Sequence, residues 1–165
     1  MTAAKTVLDA AEFRHVMGHF ATGVAVVTAT DDGEPVGLTI QSFTSLSLEP
    51  PLVCFAPGKS SATWGRIRAA GSFCVNILGD DQEAVCRAFA ASGEDKFAGI
   101  GYDAAPSTGS PRLHGALAWV DCEIDVVHDA GDHDLCIGRV LALGVTDTTA
   151  GPLLYYRSGF GRFES

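Results

Sequence analysis

Apolar residues recur along this chain in two rhythms, and the switch between them marks the elements. Near the start, Phe13, Val16, Met17 and Phe20 fall at i, i+3, i+4 and i+7, which makes one apolar face of a helix. Asp9 stands at the cap position with Glu12 three residues on, the arrangement of a capping box. A shorter period follows. Residues 24–30 are rich in β-branched side chains and predict a strand. Asp31-Asp32-Gly33-Glu34 turns the chain, and 36–43 returns as the second arm of a hairpin. After Pro50-Pro51, residues 52–56 read as a short buried strand. Ser60 or Ser61 caps a helix that carries Trp64, Ile67 and Ala70, and Gly71 ends it. Residues 73–78 predict another strand. Asp80 or Asp81 opens a helix with Val85, Cys86 and Phe89 on one side, and 92–111 is an irregular excursion rich in Gly, Ser and Pro.

In the second half, Val120, Cys122, Ile124 and Val126 alternate with Asp121, Glu123 and Asp125. This predicts a strand whose acidic face meets water. Ala130-Gly131-Asp132 makes a turn, 135–146 returns as a long strand, and 153–157 closes the chain. Strands outnumber helices, are mostly linked as hairpins, and do not alternate regularly with helices. The expectation is a mainly β protein: an antiparallel barrel with a few short peripheral helices, not a parallel dinucleotide-binding sheet. With no repeat, linker or low-complexity tail, residues 1–165 read as one domain.

Composition narrows the classes. A chain of 165 residues buries about 70% of its unfolded surface and needs no staple. Hydrophobic residues make up 47% and charged residues 19%, a globular balance. A net charge of −9 repels phosphate backbones, which argues against a nucleic-acid partner. No apolar run approaches the roughly 20 residues of a membrane span, and the first 13 residues lack the apolar stretch of a secretory leader. The protein therefore reads as cytoplasmic. Cys54, Cys74, Cys86, Cys122 and Cys136 are odd in number and contain no C-x-x-C, so they read as small buried hydrophobes, not a disulfide framework or zinc ribbon.

Several motifs carry chemistry on paper. Gly99-Ile100-Gly101-Tyr102-Asp103-Ala104 has the letters of a dinucleotide fingerprint, but Pro106 and Pro111 forbid the helix it requires. Gly58-Lys59-Ser60 looks like the end of a P-loop, yet Val53 occupies the position of the earlier glycine. The local physics survives: a Gly turn, a lysine, Ser60, Ser61 and Thr63 gather at a helix N-terminus, either as an anion site or as simple serine capping. Thr39, Gln41 and Ser42 lie in an unusually polar strand end, suited to a heteroaromatic ring edge or merely facing water. His15 and His19 share a helix face without a third metal ligand. His128 and His133 flank a hairpin tip that reads as a metal cluster, an acid–base pair or a solvated turn, and their spacing favours the last. No metal site is expected.

Taken in order, a set of segments resembles the short-chain flavin reductase family, the reductase components of two-component flavin-dependent monooxygenases. The segments are Phe20-Ala21-Thr22-Gly23-Val24, Gln41-Ser42-Phe43-Thr44-Ser45 running to Pro50-Pro51-Leu52-Val53, Phe73-Cys74-Val75-Asn76, Asp95-Lys96-Phe97-Ala98-Gly99, Gly131-Asp132-His133 and Pro152-Leu153-Leu154-Tyr155-Tyr156-Arg157. The resemblance implies an FMN-binding split barrel acting as a homodimer. It implies NAD(P)H-dependent reduction of FMN or FAD, with the reduced flavin passed to a partner oxygenase. Thr39, Gln41 and Ser42 are then expected along the flavin ring and ribityl chain, Lys59, Ser60, Ser61 and Thr63 near its phosphate, and Phe97 close by. His133, Tyr156 and Arg157 are expected on the nicotinamide side, with His133 positioning the nicotinamide and not serving as an obligatory proton donor. Lacking an arginine cluster for a 2′-phosphate, the chain is expected to prefer NADH over NADPH. A non-catalytic FMN store or redox sensor on the same barrel is the alternative. An oxidase of the pyridoxamine-phosphate type is a third reading, which the Gly-Asp-His hairpin disfavours.

Overall fold

The computed structural model describes residues 8–93, 95–146 and 149–164. Residues 1–7, where a leader was sought, lie outside the described residues. In chain order the elements are α1 (Ala10–Met17), β1 (Thr22–Gly23), β2 (Ala25–Asp31), β3 (Glu34–Ile40), β4 (Thr44–Leu48), β5 (Pro51–Phe55), α2 (Ala62–Ala70), β6 (Ser72–Ile77) and α3 (Glu83–Ala90). There follow β7 (Tyr102–Ala104), β8 (Pro111–Leu113), β9 (Ala118–Ala130), β10 (His133–Val145), β11 (Leu154–Tyr156) and β12 (Gly159–Gly161). Seven strands form one antiparallel sheet in the order β3-β2-β6-β9-β10-β5-β4. Its ends do not pair, yet Val36, Leu38 and Ile40 of β3 share one core cluster with Val53 and Phe55 of β5. The sheet therefore curls around a common core and stays open at a seam, the geometry of a split barrel.

Strand β2 is buried on both faces. Ala25, Val27 and Ala29 join the main core, while Val26, with Val24 just ahead of the strand, joins a second cluster with Leu78, Cys86, Phe89 and Leu113. The β2–β3 turn places Asp32 and Gly33 at φ of 49° and 82°, the paired left-handed geometry that Asp-Gly supplies in two-residue hairpins. Helix α2 closes the core with Trp64 and Ile67; Ser61 caps it and Gly71 ends it at φ 74°.

Four expectations need correction. Asp121 is fully buried, not a member of a water-facing acidic row. Its carboxylate accepts from the N–H groups of Ser107 (2.8 Å) and Thr108 (3.2 Å) and from the Thr108 hydroxyl (2.5 Å), so it pins the 92–111 excursion to the sheet. The alternation in β9 also changes phase. The register with β10 shifts between Ile124 and Val126, leaving Asp125 as an extra residue; Val127 then faces the core and Val126 faces out. The strand expected over 36–43 stops at Ile40, and a further edge strand, β4, occupies residues 44–48. Finally, α3 begins at Glu83 with Gln82 at its cap, not at Asp80 or Asp81. Gln82 accepts from the Gly79 N–H (3.1 Å) and donates to the His114 carbonyl (3.0 Å), ties made at the turn ahead of the helix.

Candidate functional site

Two concavities meet along the segment Ile40-Gln41-Ser42, where the chain leaves β3 and has not yet begun β4. Each has a volume of about 890 Å³, within the roughly 300–1,000 Å³ of small-molecule sites. The first, here the cleft, runs from Thr39 and Gln41 past Ser60, Ser61 and Thr63 to Lys96 and His133. The second, here the groove, is walled by Phe13 and Met17 of α1, by Phe20 and Thr22 just beyond it, and by Tyr155 and Arg157.

The strand end is polar because each of its residues has a separate task. Thr39 donates its hydroxyl to the Cys86 carbonyl at the back of α3 (2.7 Å). The Ser42 hydroxyl accepts from the Ala56 N–H (2.9 Å), which holds the β3–β4 link against the end of β5. Gln41 lies between them, exposed, and borders both concavities. At the other wall, Ser61 accepts from the Trp64 N–H (3.2 Å), so its hydroxyl is the helix cap. Ser60 and Thr63 stand beside it at the positive end of the α2 dipole.

The two lysines have different surroundings. The Lys59 ammonium contacts the Asp129 carboxylate and donates to the Gly131 carbonyl (2.6 Å), both on the β9–β10 hairpin, and it is not part of the cleft wall. Its contact and charge hold the Asp129 carboxyl below the usual carboxylate range. Lys96 does line the cleft. Its ammonium donates to the carbonyls of Gly37 (3.3 Å) and Phe89 (3.2 Å), no ion pair with a carboxylate holds it among the described residues, and burial draws its pKa below the ordinary lysine value. Sequence reasoning quoted Lys96 but assigned only its neighbour; nothing in a loop lysine announces that it folds back over two carbonyls.

His133 begins β10 and lines the cleft beside Gly58. Its Nδ1 lies 2.8 Å from the Asp132 carboxylate, which the imidazole holds below its usual pKa range. An ionised carboxylate only accepts, so Nδ1 carries the proton and Nε2 is left for the cleft. The remaining expected residues are not gathered here. Phe97 packs edge-on against Phe89 (4.8 Å) and Tyr102 (5.3 Å) beneath the cleft wall. Arg157 is on the groove, and Tyr156 lies outside both walls with its ring 6.2 Å from His19.

A helix start rich in hydroxyls, a partly buried lysine and a histidine stand around one cleft, which joins an apolar groove through an amide and a hydroxyl on an open antiparallel barrel. Residues 17–164 match the flavin reductase like domain, and the chain belongs to that family. It is 47% identical over 162 residues to a flavin reductase of Pseudomonas putida, covering 98% of this chain and 94% of that one. It is also 47% identical over 157 residues to the reductase subunit HsaB of a flavin-dependent monooxygenase from Rhodococcus jostii, with 95% and 80% covered. Among solved structures, the NADH:FAD oxidoreductase SgcE6 of Streptomyces globisporus, in complex with NAD and FAD fragments, superposes with a TM-score of 0.89 at 35% identity, covering 94% and 93%.

Proposed function

We propose that this protein is an NAD(P)H:flavin oxidoreductase that reduces FMN or FAD and releases the reduced flavin to a separate oxygenase. The observation that carries the reading is the junction at Gln41 and Ser42 of a polar, cationic cleft with an apolar groove. A flavin has the same division, an anionic tail and a flat heteroaromatic head. The donor set fits the tail: Ser60, Thr63, the first N–H groups of α2, and Lys96. The head is matched by Gln41 and by the Thr22 hydroxyl, which borders the groove. That hydroxyl is the one buried side-chain polar atom without a hydrogen-bond partner among the described residues. Family membership supports the assignment.

When bound, the flavin supplies the two-electron chemistry; the polypeptide binds, orients and excludes water. His133 offers Nε2 to a nicotinamide amide, and Asp132 keeps the ring in that tautomer. NADH is the preferred donor, as the name of the Streptomyces globisporus relative suggests. The working unit is a homodimer, a reading supported by the uncovered apolar face of α1. The receiving oxygenase is suggested by relatives that are monooxygenase subunits.

Steady-state oxidation of NADH and of NADPH with excess FMN or FAD tests the proposal. Many turnovers per chain, faster with NADH, are expected. A single slow reduction would identify a flavin store instead, and no flavin binding would remove the assignment altogether.

A further inference from the structure

Lys59 sits in the turn that leads to the flavin-phosphate end of the cleft, yet every bond it makes runs to the hairpin that carries His133. Its backbone N–H donates to the Asp132 carbonyl (3.0 Å), its ammonium donates to the Gly131 carbonyl (2.6 Å), and the same ammonium contacts the Asp129 carboxylate. Just ahead of it in the chain, Gly58 bridges to His133 and the Pro57 carbonyl accepts from the Asp134 N–H (3.0 Å). The hairpin tip is a two-residue turn, with Gly131 at φ 77° and Asp132 exposed, and no apolar packing to hold it. Polar bonds from residues 57–59 are therefore what fixes where the tip stands.

We propose that Lys59 is a positioning residue: with Asp129 it latches the β9–β10 hairpin over the cleft and so sets His133 for the nicotinamide. The proposal rests on the flavin-reductase reading. It differs from a phosphate-binding role in what it controls. A phosphate ligand acts on flavin affinity and should gain freedom when Asp129 is neutralised. A latch fails whichever end is cut.

The experiment uses Lys59→Met and Asp129→Asn in the full chain. Both variants are expected to raise KM for NADH roughly five-fold with little change in kcat, the signature of lost ground-state positioning. FMN affinity, read by quenching of flavin fluorescence, is expected to stay within about two-fold of the parent, a difference small on the free-energy scale. Hydrogen exchange without any ligand is expected to quicken at the amides of residue 59 and Asp134, which donate across this contact, in both variants and not along α2. Lys59→Arg should restore much of the KM. Weaker FMN binding in Lys59→Met, with riboflavin binding and KM for NADH unchanged, would overturn the latch in favour of a phosphate contact. Faster exchange at the tip with an unaltered KM would overturn the link to His133. Failure of the underlying reading shows elsewhere, as a parent protein that oxidises no NADH with flavin, while the exchange data still report on the latch.

Discussion

The ammonium of Lys96 is drawn partly out of water, bonded to the carbonyls of Gly37 and Phe89, and burial lowers its pKa. The folded chain therefore binds fewer protons than the unfolded one between that lowered value and the ordinary lysine value near 10.4, and the fold gains stability as pH rises through this window. Anion binding responds in the opposite sense, because the counter-charge disappears as Lys96 deprotonates. FMN affinity is expected to fall in alkaline solution before ordinary lysines titrate, whereas riboflavin affinity stays level. Lys96→Met should weaken FMN about ten-fold, the scale of one charge-assisted hydrogen bond, and leave riboflavin unaffected. Fluorescence titration from pH 7 to 10 reads both effects, and equal losses for the two flavins would contradict a phosphate contact.

Asp121 is a buried charge of another kind, with three donors converging on it from residues 107 and 108. Alanine would leave two N–H groups without an acceptor, at about 1–3 kcal/mol each. Asp121→Ala is thus expected to cost about 2–5 kcal/mol, and Asp121→Asn, which keeps one acceptor, clearly less. Urea denaturation monitored by circular dichroism measures the difference. Equal stability of the parent and the alanine variant would show that the excursion is held by its other ties.

At the scale of elements, α1 stands apart. It has eight residues, buries none of them, and turns Phe13, Val16 and Met17 outward, with Phe20 73% exposed just beyond. A helix this short does not persist in water by propensity. Its ties to the barrel are few: the Arg157 N–H donates to the Gly18 carbonyl (2.9 Å), and the His19 ring meets that of Tyr156. The proposed homodimer would account for this pattern if a second copy covers the face, since an isologous contact pairs one apolar face with itself. Phe13→Asp combined with Met17→Asp is expected to convert a dimer into monomers in sedimentation velocity. Because both side chains wall the groove, KM for NADH or flavin should rise as well. An unchanged sedimentation coefficient in a well-folded double variant would place the dimer contact elsewhere.

The same scale separates what was legible in the sequence from what was not. Elements announced by local rules appear where expected: the Asp-Gly hairpin, the serine cap and glycine stop of α2, and the long β9–β10 pair. Three features set by long-range partners were not legible. The extra residue at Asp125 exists because β10 pairs that way, and it reverses which face Val126 and Val127 occupy. Strand β4 carries only a short alternation, Ser45-Leu46-Ser47-Leu48, whose leucines are exposed, and it forms because an edge of β5 is there to pair with. Asp121 looks like its exposed neighbours Glu123 and Asp125 until the excursion folds back on it. The site divides in the same way. Hydroxyls at a helix start follow from local chemistry, but which lysine faces the cleft depends on a hairpin some 70 residues away in sequence.

Over the whole molecule, the five cysteines form a built-in reporter of the split barrel. They lie on β5, β6, α3, β9 and β10, and all are buried and unbridged. Burial pushes the thiols of Cys74 and Cys136 up to about 12, helped by the nearby carboxylates of Asp121 and Asp134 respectively, and raises Cys122 further still. Since the thiolate is the nucleophile, the native chain offers almost none at neutral pH. Cys54 and Cys86 are raised too, by burial first of all. Thiol titration with a disulfide reagent at pH 7–8 is thus expected to find no fast-reacting group in the native protein and all five after unfolding. Labelling should follow the same denaturant curve as the intrinsic fluorescence of the two tryptophans, Trp64 and Trp119; the indole N–H of Trp64 is bonded to the buried Asp134 (2.8 Å). The barrel's open seam lies between β3 and β4, and Cys54 pairs in register with Thr44 of that edge. If Cys54 alone reacted early, β4 would be peeling from the sheet before the core gives way; if all five react together with loss of the tryptophan signal, the seam opens only when the whole sheet does.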